Sequence, residues 1–247
     1  MLNATFDRCT LDSCVDEVLA SAAGRERVWL ATVNVAILMA MRRSRELHEY
    51  AGGARWVVAD GQPIVWLSRL LGRPLPQRVT GVDLIDRLCA RAEEDGLGVY
   101  FLGASDEVVT AAGRAMKVKY PRLRLHVANG YFTAAQAPER VSAVADSGVS
   151  LLFVGMGVPR QEQFISKHMD ALNVNVAIGV GGSFDVIGGL RDRAPLALQK
   201  LGLEWTYRLA QEPRRLWRRY LVTGMQFLIL ALAALALEGL RVARRQP

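Results

Sequence analysis

Apolar and polar positions follow two rhythms along the first 180 residues. Short, branched apolar runs fall at 28–33, 56–59, 99–102, 123–128, 151–154 and 175–180, lengths that suit strands. Between them lie helix-length segments at 36–50, 62–71, 82–94, 106–120, 134–146 and 160–172. This order, strand then helix then strand, predicts an α/β fold: a Rossmann-like, mostly parallel sheet with helices on both faces. No repeat or low-complexity linker interrupts the pattern before Gly189, whereas 191–195 is charged and ends in a proline. We therefore expect a core over 1–190 and an appendage over 191–247, first basic, then apolar and helical.

The ends of the strands carry the candidate chemistry. The run 151–154 stops at Gly155 and hands over to Gly157, Pro159, Arg160, Gln161, Glu162 and Gln163. The glycines allow a backbone to approach a ligand, or simply allow tight strand-to-helix packing, while Arg160 and Gln161 open a helix at the carboxyl edge of the sheet, where open α/β proteins bind ligands. Thr32 and Asn34, two apart in an extended segment, point the same way at the end of the first strand. Asp60 follows the second strand. Between an apolar strand and an apolar helix its carboxylate would be partly desolvated and more basic; as a turn residue it would cap the helix instead. The segment Arg78-Val79-Thr80-Gly81-Val82-Asp83 could form a third wall of a pocket, though Thr80 and Asp83 also suit a helix start.

Charge separates the two regions. The chain of 247 residues carries +7 overall, and ten arginines and one lysine against four acids put all of that excess after residue 190. A neutral body with a basic tail fits an anionic surface or a phosphorylated ligand. Three cysteines without a Cys-x-x-Cys pair suggest neither a disulfide framework nor zinc, and three scattered histidines offer no paired ligands, so no metal site is expected. The N-terminus lacks the charged-then-apolar order of a signal peptide, which keeps the body on the cytoplasmic side. Residues 220–237 form an uncharged run, short for a span and flanked on both sides by arginines, including Arg241, Arg244 and Arg245. Arginines at both ends favour the cytoplasmic leaflet, so the helix is expected to lie in the interface; a homo-oligomer contact and a single span are the alternatives.

Taken in order, these motifs resemble the WecG/TagA/CpsF glycosyltransferases over nearly the whole chain. The residues that carry the likeness are Thr32 with Asn34, Ala-Asp-Gly at 59–61, Arg-Val-Thr-Gly-x-Asp at 78–83 and Gly-x-Gly-x-Pro-Arg-Gln-Glu at 155–162. Gly-Val-Gly-Gly-Ser-Phe-Asp at 179–185, Arg-Ala-Pro at 193–195 and Gly-Leu-Glu-Trp-x-Tyr-Arg-Leu at 202–209 complete it. One departure falls at 32–35, where Val33 and Val35 flank Asn34 and the family often has a proline.

The resemblance implies an inverting, metal-independent transfer of a sugar, of N-acetylmannosamine type, a uronic acid or glucose. The donor would be a UDP-sugar and the acceptor a polyprenyl-diphosphate-linked saccharide, in cell-surface polysaccharide or teichoic acid synthesis. It implies Asp60 as general base, with Thr32, Asn34 and Gln161 beside it. Thr80, Asp83, Gly155, Gly157, Arg160, Gly181 and Asp185 would line the substrate site, Asp185 being the next candidate for the base. No Asp-x-Asp stands at a strand end, so arginine is the remaining source of positive charge for a departing diphosphate. Arg208, Arg214, Arg215, Arg218 and Arg219 fall at helical spacing and would grip it, or else form a solvated basic face. Their distance from Asp60 along the chain suggests a mobile appendage after Pro195 that closes over the body. No cofactor is implied.

Three other classes compete. A dinucleotide oxidoreductase would need Gly-x-Gly-x-x-Gly after the first strand, which ends in Thr-Val-Asn. A nucleic-acid module would interleave its arginines with stacking aromatics rather than follow them with an apolar run, so no nucleic-acid partner is expected. A membrane-tethered, nucleotide-sugar-binding scaffold without catalysis is the remaining alternative.

Overall fold

The structure, a computed structural model, describes residues 1–24 and 26–243; the side chains of Arg215, Arg219 and 239–243 lie outside the described set, as do Arg244 and Arg245. Six strands, β1 (Val28–Val33), β2 (Trp56–Ala59), β3 (Gly98–Gly103), β4 (Arg124–Ala128), β5 (Leu151–Gly155) and β6 (Val176–Gly179), form one sheet. Their order is β2-β1-β6-β5-β3-β4, and every pairing is parallel. The four inner strands β1, β6, β5 and β3 are almost wholly buried, because apolar side chains on both faces meet helices; β4, at the edge, is mostly exposed and carries Arg124 and His126.

One face is covered by α2 (Val35–Met41), α3 (Arg45–Gly53), α4 (Gln62–Leu70), α7 (Ala137–Asp146) and α8 (Arg160–Leu172). The other is covered by α1 (Leu11–Ala23), α5 (Gly81–Asp95), α6 (Asp106–Lys119) and the short α9 (Ser183–Ile187). The expected helix over 36–50 is two helices, because Ser44 accepts a hydrogen bond from the Leu47 N–H and starts α3 afresh. Likewise 134–146 opens with a 3₁₀ turn before α7, with Pro138 in that helix's first turn. The helix α1 stands outside the sequence-based expectation. Its buried Cys14, Val15, Val18, Leu19 and Ala22 repeat at helical spacing, and Thr10 with Ser13 closes a capping box. Cys9, Cys14 and Cys89 are all free and buried.

Sheet order fixes where a ligand fits. The connection leaving β5 runs toward β6 while that leaving β3 runs the other way to β4, so the carboxyl ends of β3 and β5 flank a topological switch point. Gly103 makes this junction: its φ is +156°, and a Cβ there would collide with the Gly155 carbonyl.

After α10 (Leu196–Lys200) the chain doubles back over this carboxyl edge as α11 (Glu204–Gln211) and α12 (Pro213–Ala243). Glu204 is buried and accepts hydrogen bonds from Arg78 Nη1 at 2.6 Å and Arg208 Nη2 at 2.7 Å. Burial alone would raise its pKa; Arg208, Arg78 and Arg193 together overcome that and hold the carboxyl below its ordinary value. The 31-residue α12, about 46 Å long, packs along α2 and α11. Phe227 and Ala231 are buried in the same apolar cluster as Ile37, Leu38 and Ile64.

Replacing Glu204 by Ala leaves the half-buried Arg78 without its partner, and the expected cost is roughly 2–3 kcal/mol of stability. Urea unfolding reads that loss, and limited trypsin digestion should show a new early cut after Arg208 as α11 detaches. Unchanged stability with an unchanged digest would mean that other contacts hold α11 in place.

Candidate functional site

A cleft of about 670 Å³ opens where the carboxyl ends of β1, β2, β5 and β6 meet the returning C-terminal helices. Asp60 stands on its floor, half-buried; its N–H donates to the Val33 carbonyl at 2.9 Å, so it extends the β1–β2 ladder by one residue. The N-cap of α4 is Gly61, one position later. Arg208 reaches the same cleft from α11 with a side chain still 45% exposed. Its partial burial works against the charge, but Glu204 and then Asp60 more than compensate, so its pKa is raised. Asp60 and Arg208 therefore sense each other across the cleft.

Thr32 and Asn34 both line the cleft, and each also holds the fold. Thr32 is buried and donates from Oγ1 to the Gly179 carbonyl at 2.7 Å, tying β1 to β6. Asn34 has extended backbone (φ −99°, ψ 176°) and caps α2, its Oδ1 accepting from the Ala36 and Ile37 N–H groups. Gln161 is likewise buried at the cleft wall. Its Oε1 accepts from the Gly181 N–H at 3.0 Å and its Nε2 donates to Glu162 Oε1 at 2.9 Å, so it braces the loop after β6. Gly155, Gly157 and Gly181 line the cleft, with Gly157 at φ +78° and Gly181 at φ +54°; Gln163 is exposed and bonds Glu46. Asp185 also lines it and pairs with Arg191 at 3.5 Å, while Arg191 reaches Glu212 at 2.8 Å.

Thr80 also lines the cleft and at the same time caps α5, accepting from the Asp83 N–H and donating to Asp83 Oδ2. Several other expected residues are not brought there. Asp83 is held by Arg193 at 2.7 Å and stays outside the cleft lining, so Thr80 is at once wall and helix cap while Asp83 belongs to the helix start. Arg160 turns away: it donates to the Phe132 carbonyl at 2.7 Å and lies over that ring. The expected arginine stripe is broken. Glu212 ends α11 and Pro213 begins α12, which puts Arg208 on a different helix from Arg214 and Arg218. Both of those are exposed, Arg218 lying over Trp217, and neither is among the described residues lining the cleft. The side chains of Arg215 and Arg219 lie outside the described residues.

Two residues of the site, Glu204 and Arg191, were given no role from the sequence: Glu204 is a single charge between Leu203 and Trp205, and Arg191 lies in the charged stretch 191–195. Arg78, expected as part of a third pocket wall, instead holds Glu204. Glu162, expected at the helix start on the sheet edge, lies behind the cleft. It is buried against Tyr50, and neither Glu162 Oε2 nor Tyr50 Oη has a hydrogen-bond partner among the described residues. Burial raises its pKa to about 7, against the weaker opposing effect of its backbone hydrogen bond and the Gln161 amide. The same burial, with Glu162 nearby, raises Tyr50.

A second, apolar groove of about 490 Å³ between α4 and α12 shares Asn34, Ala36, Asp60, Arg208 and Tyr220 with the cleft. The site is thus polar at the sheet edge and apolar beyond it.

The sequence model of the Glycosyl transferase WecG/TagA/CpsF family matches residues 1–240. The chain is similar to the N-acetylglucosaminyldiphosphoundecaprenol N-acetyl-beta-D-mannosaminyltransferase of Staphylococcus aureus strain MW2, with 31% identity over 220 residues, 88% of this chain and 86% of that protein. The proteins of the same name from strains NCTC 8325 / PS 47 and MRSA252 match with the same identity and coverage.

The buried Glu162 makes stability depend on pH. Its folded pKa lies above the unfolded value, so its contribution is complete below about pH 4.5 and is lost as pH rises through about 7. That interval corresponds to roughly 3 kcal/mol. Urea unfolding at a series of pH values from 5 to 8 should show Glu162→Gln losing less stability than the unsubstituted protein by about that amount. Parallel profiles for the two would place the ionisation elsewhere.

Proposed function

The chain belongs to the Glycosyl transferase WecG/TagA/CpsF family and is a glycosyltransferase. From that premise we propose that it moves a sugar, of N-acetylmannosamine type, a uronic acid or glucose, from a UDP donor to a polyprenyl-diphosphate-linked saccharide. The reaction would be inverting and metal-independent and would serve cell-surface polysaccharide or teichoic acid synthesis. The observation that carries this reading is the facing of Asp60 and Arg208 across a cleft at the carboxyl edge of a parallel sheet. The acceptor follows from the relatives, whose name specifies a sugar diphosphoundecaprenol and a mannosaminyl group.

In this mechanism the acceptor hydroxyl attacks the anomeric carbon while Asp60 takes its proton. The new carbon–oxygen bond forms on one face as the bond to UDP breaks on the other, and UDP leaves with the electron pair. Arg208 and Arg191 supply positive charge to the departing diphosphate, and the glycines at 155, 157 and 181 let its oxygens come close to backbone N–H groups. Thr32, Asn34 and Gln161 act by holding the strand ends and the Gly181 amide in register. Arg214, Arg215 and Arg218, early in α12, belong to the proposal as charges that meet the lipid diphosphate and the anionic membrane.

The same proposal sets the protein at the cytoplasmic face of the membrane, held in the interface. A span of length and composition fit to cross a bilayer covers Leu216–Glu238, and only 6% of its most apolar window is buried. Yet one flank of the helix packs on the body as far as Phe227, Ala231 and the partly buried Leu235. A helix held lengthwise against a polar domain cannot be ringed by lipid, whereas Leu221, Met225 and Ile229 on the exposed side can enter one leaflet.

Asp60→Asn should lower transfer about 100-fold or more, with UDP binding by calorimetry within a few-fold of the starting value. Near-normal turnover would move the base elsewhere. Chelation with EDTA should leave the rate unchanged; a loss restored by magnesium or manganese would overturn the role given to the arginines.

A further inference from the structure

The groove between α4 and α12 is built from two facing stripes. Pro63, Trp66, Leu67 and Leu70 recur at helical spacing on α4, and on α12 the lining positions run from Tyr220 to Leu235, about 22 Å of helix. One end of the groove contains Asp60, Arg78 and Arg208; the walls beyond are apolar, and Trp66, Leu70, Leu228 and Leu232 remain substantially exposed along it. The core of this protein does not fill the space, and water gains little from it. At Gly224 the groove is open: a Cβ added there would meet no heavy atom within 4 Å, although neighbouring positions of the helix are packed on the body.

We propose that this groove holds the first isoprene units of the acceptor's polyprenyl chain, guiding them from the diphosphate at Arg208 along α12 into the membrane. The inference rests on the acceptor class proposed above. Its own support is the shape of the site: a charged end that shares Asp60 and Arg208 with the cleft continues directly into an apolar channel. A substrate with an anionic head and a hydrocarbon tail matches that sequence of surfaces. A soluble acceptor would leave the channel unused, and an apolar peptide helix would put no anion at Arg208. The channel therefore acts on selectivity: it favours long isoprenoid chains over short alkyl ones by burying more of the tail.

The test fills the channel. Gly224→Phe places a ring in the open space without clashing with the backbone, and Val222→Phe adds the same bulk to a position outside the lining. Each protein, in detergent micelles, is offered N-acetylglucosamine diphosphate on an undecaprenyl chain and on a short propyl chain, with UDP-N-acetylmannosamine as donor. The ratio of kcat/KM for the long over the short acceptor should fall at least tenfold in Gly224→Phe and stay constant in Val222→Phe. An unchanged ratio in Gly224→Phe, with thermal stability intact, would overturn the proposal. A diazirine-bearing undecaprenyl diphosphate supplies a readout independent of turnover. Label recovered on the peptide containing Trp66, and lost in Gly224→Phe, supports the groove; label confined to other segments refutes it. If the unsubstituted protein uses neither acceptor yet the label reaches Trp66, the acceptor assignment fails while the lipid groove stands.

Discussion

The carboxylate of Glu204 holds the two halves of the site together. It lies on α11, far along the chain from the sheet, yet it is buried against Arg78 from the segment after α4 and against Arg208 one turn further on. Without it two guanidinium groups would crowd one another at the edge of the sheet. With it, one guanidinium is neutralised inside the protein and the other is aimed into the cleft opposite Asp60. The docking of α11 and the charge of the site are thus one arrangement. The composition changes character near residue 190, but the packing crosses that point, since Phe227 and Ala231 share an apolar cluster with residues from α2 and α4.

Most residues that line the cleft also hold backbone. Thr32 binds the Gly179 carbonyl, Asn34 caps α2, Thr80 caps α5, and Gln161 holds the Gly181 N–H. A parallel sheet explains this. Its carboxyl edge presents the first residues of several helices, whose N–H groups need acceptors, and the polar side chains nearest to hand are those at the strand ends. A side chain fixed in this way loses no rotamer freedom when a ligand arrives, so its remaining polar edge is preorganised. Glu162 is the exception. It is sealed behind Gln161 at an energetic cost that its backbone hydrogen bond and the Gln161 amide do not offset, and its raised pKa records that imbalance.

The sheet was legible because a buried parallel strand needs an unbroken apolar run, and all six runs became strands within one or two residues. The break in the helix after β1 was harder to see, since Ser44 reads as an ordinary polar position until its side chain is found closing on Leu47. Asp60 could be placed at a strand end, and Thr32 and Asn34 beside it, because period two fixes their side. The arginines could not be placed by period. Helical spacing ran through Arg208 to Arg219, but it assumed one helix where Glu212 and Pro213 make two. Likewise, nothing in the spacing of Asp83 shows that Arg193, 110 residues later, occupies its carboxylate. Partners separated that far are set by topology, and sequence pattern carries only local geometry.

The break before Pro213 has a physical consequence of its own. Were α11 and α12 one straight helix, a helix long enough to lie on α2 would carry Arg208 along its axis and away from the cleft. The turn at Glu212, whose carboxylate receives Arg191, lets the two segments take separate directions. The short one drops its guanidinium toward Asp60; the long one stays parallel to the body with its other flank exposed. Tyr220 stands where these directions meet, lining both the polar cleft and the apolar groove and packing its ring against Trp205 of α11. An aromatic ring with a polar tip suits that boundary, since the ring can face hydrocarbon while the hydroxyl faces the charged groups. The junction of the two helices therefore sets both where charge gathers and where the apolar surface begins.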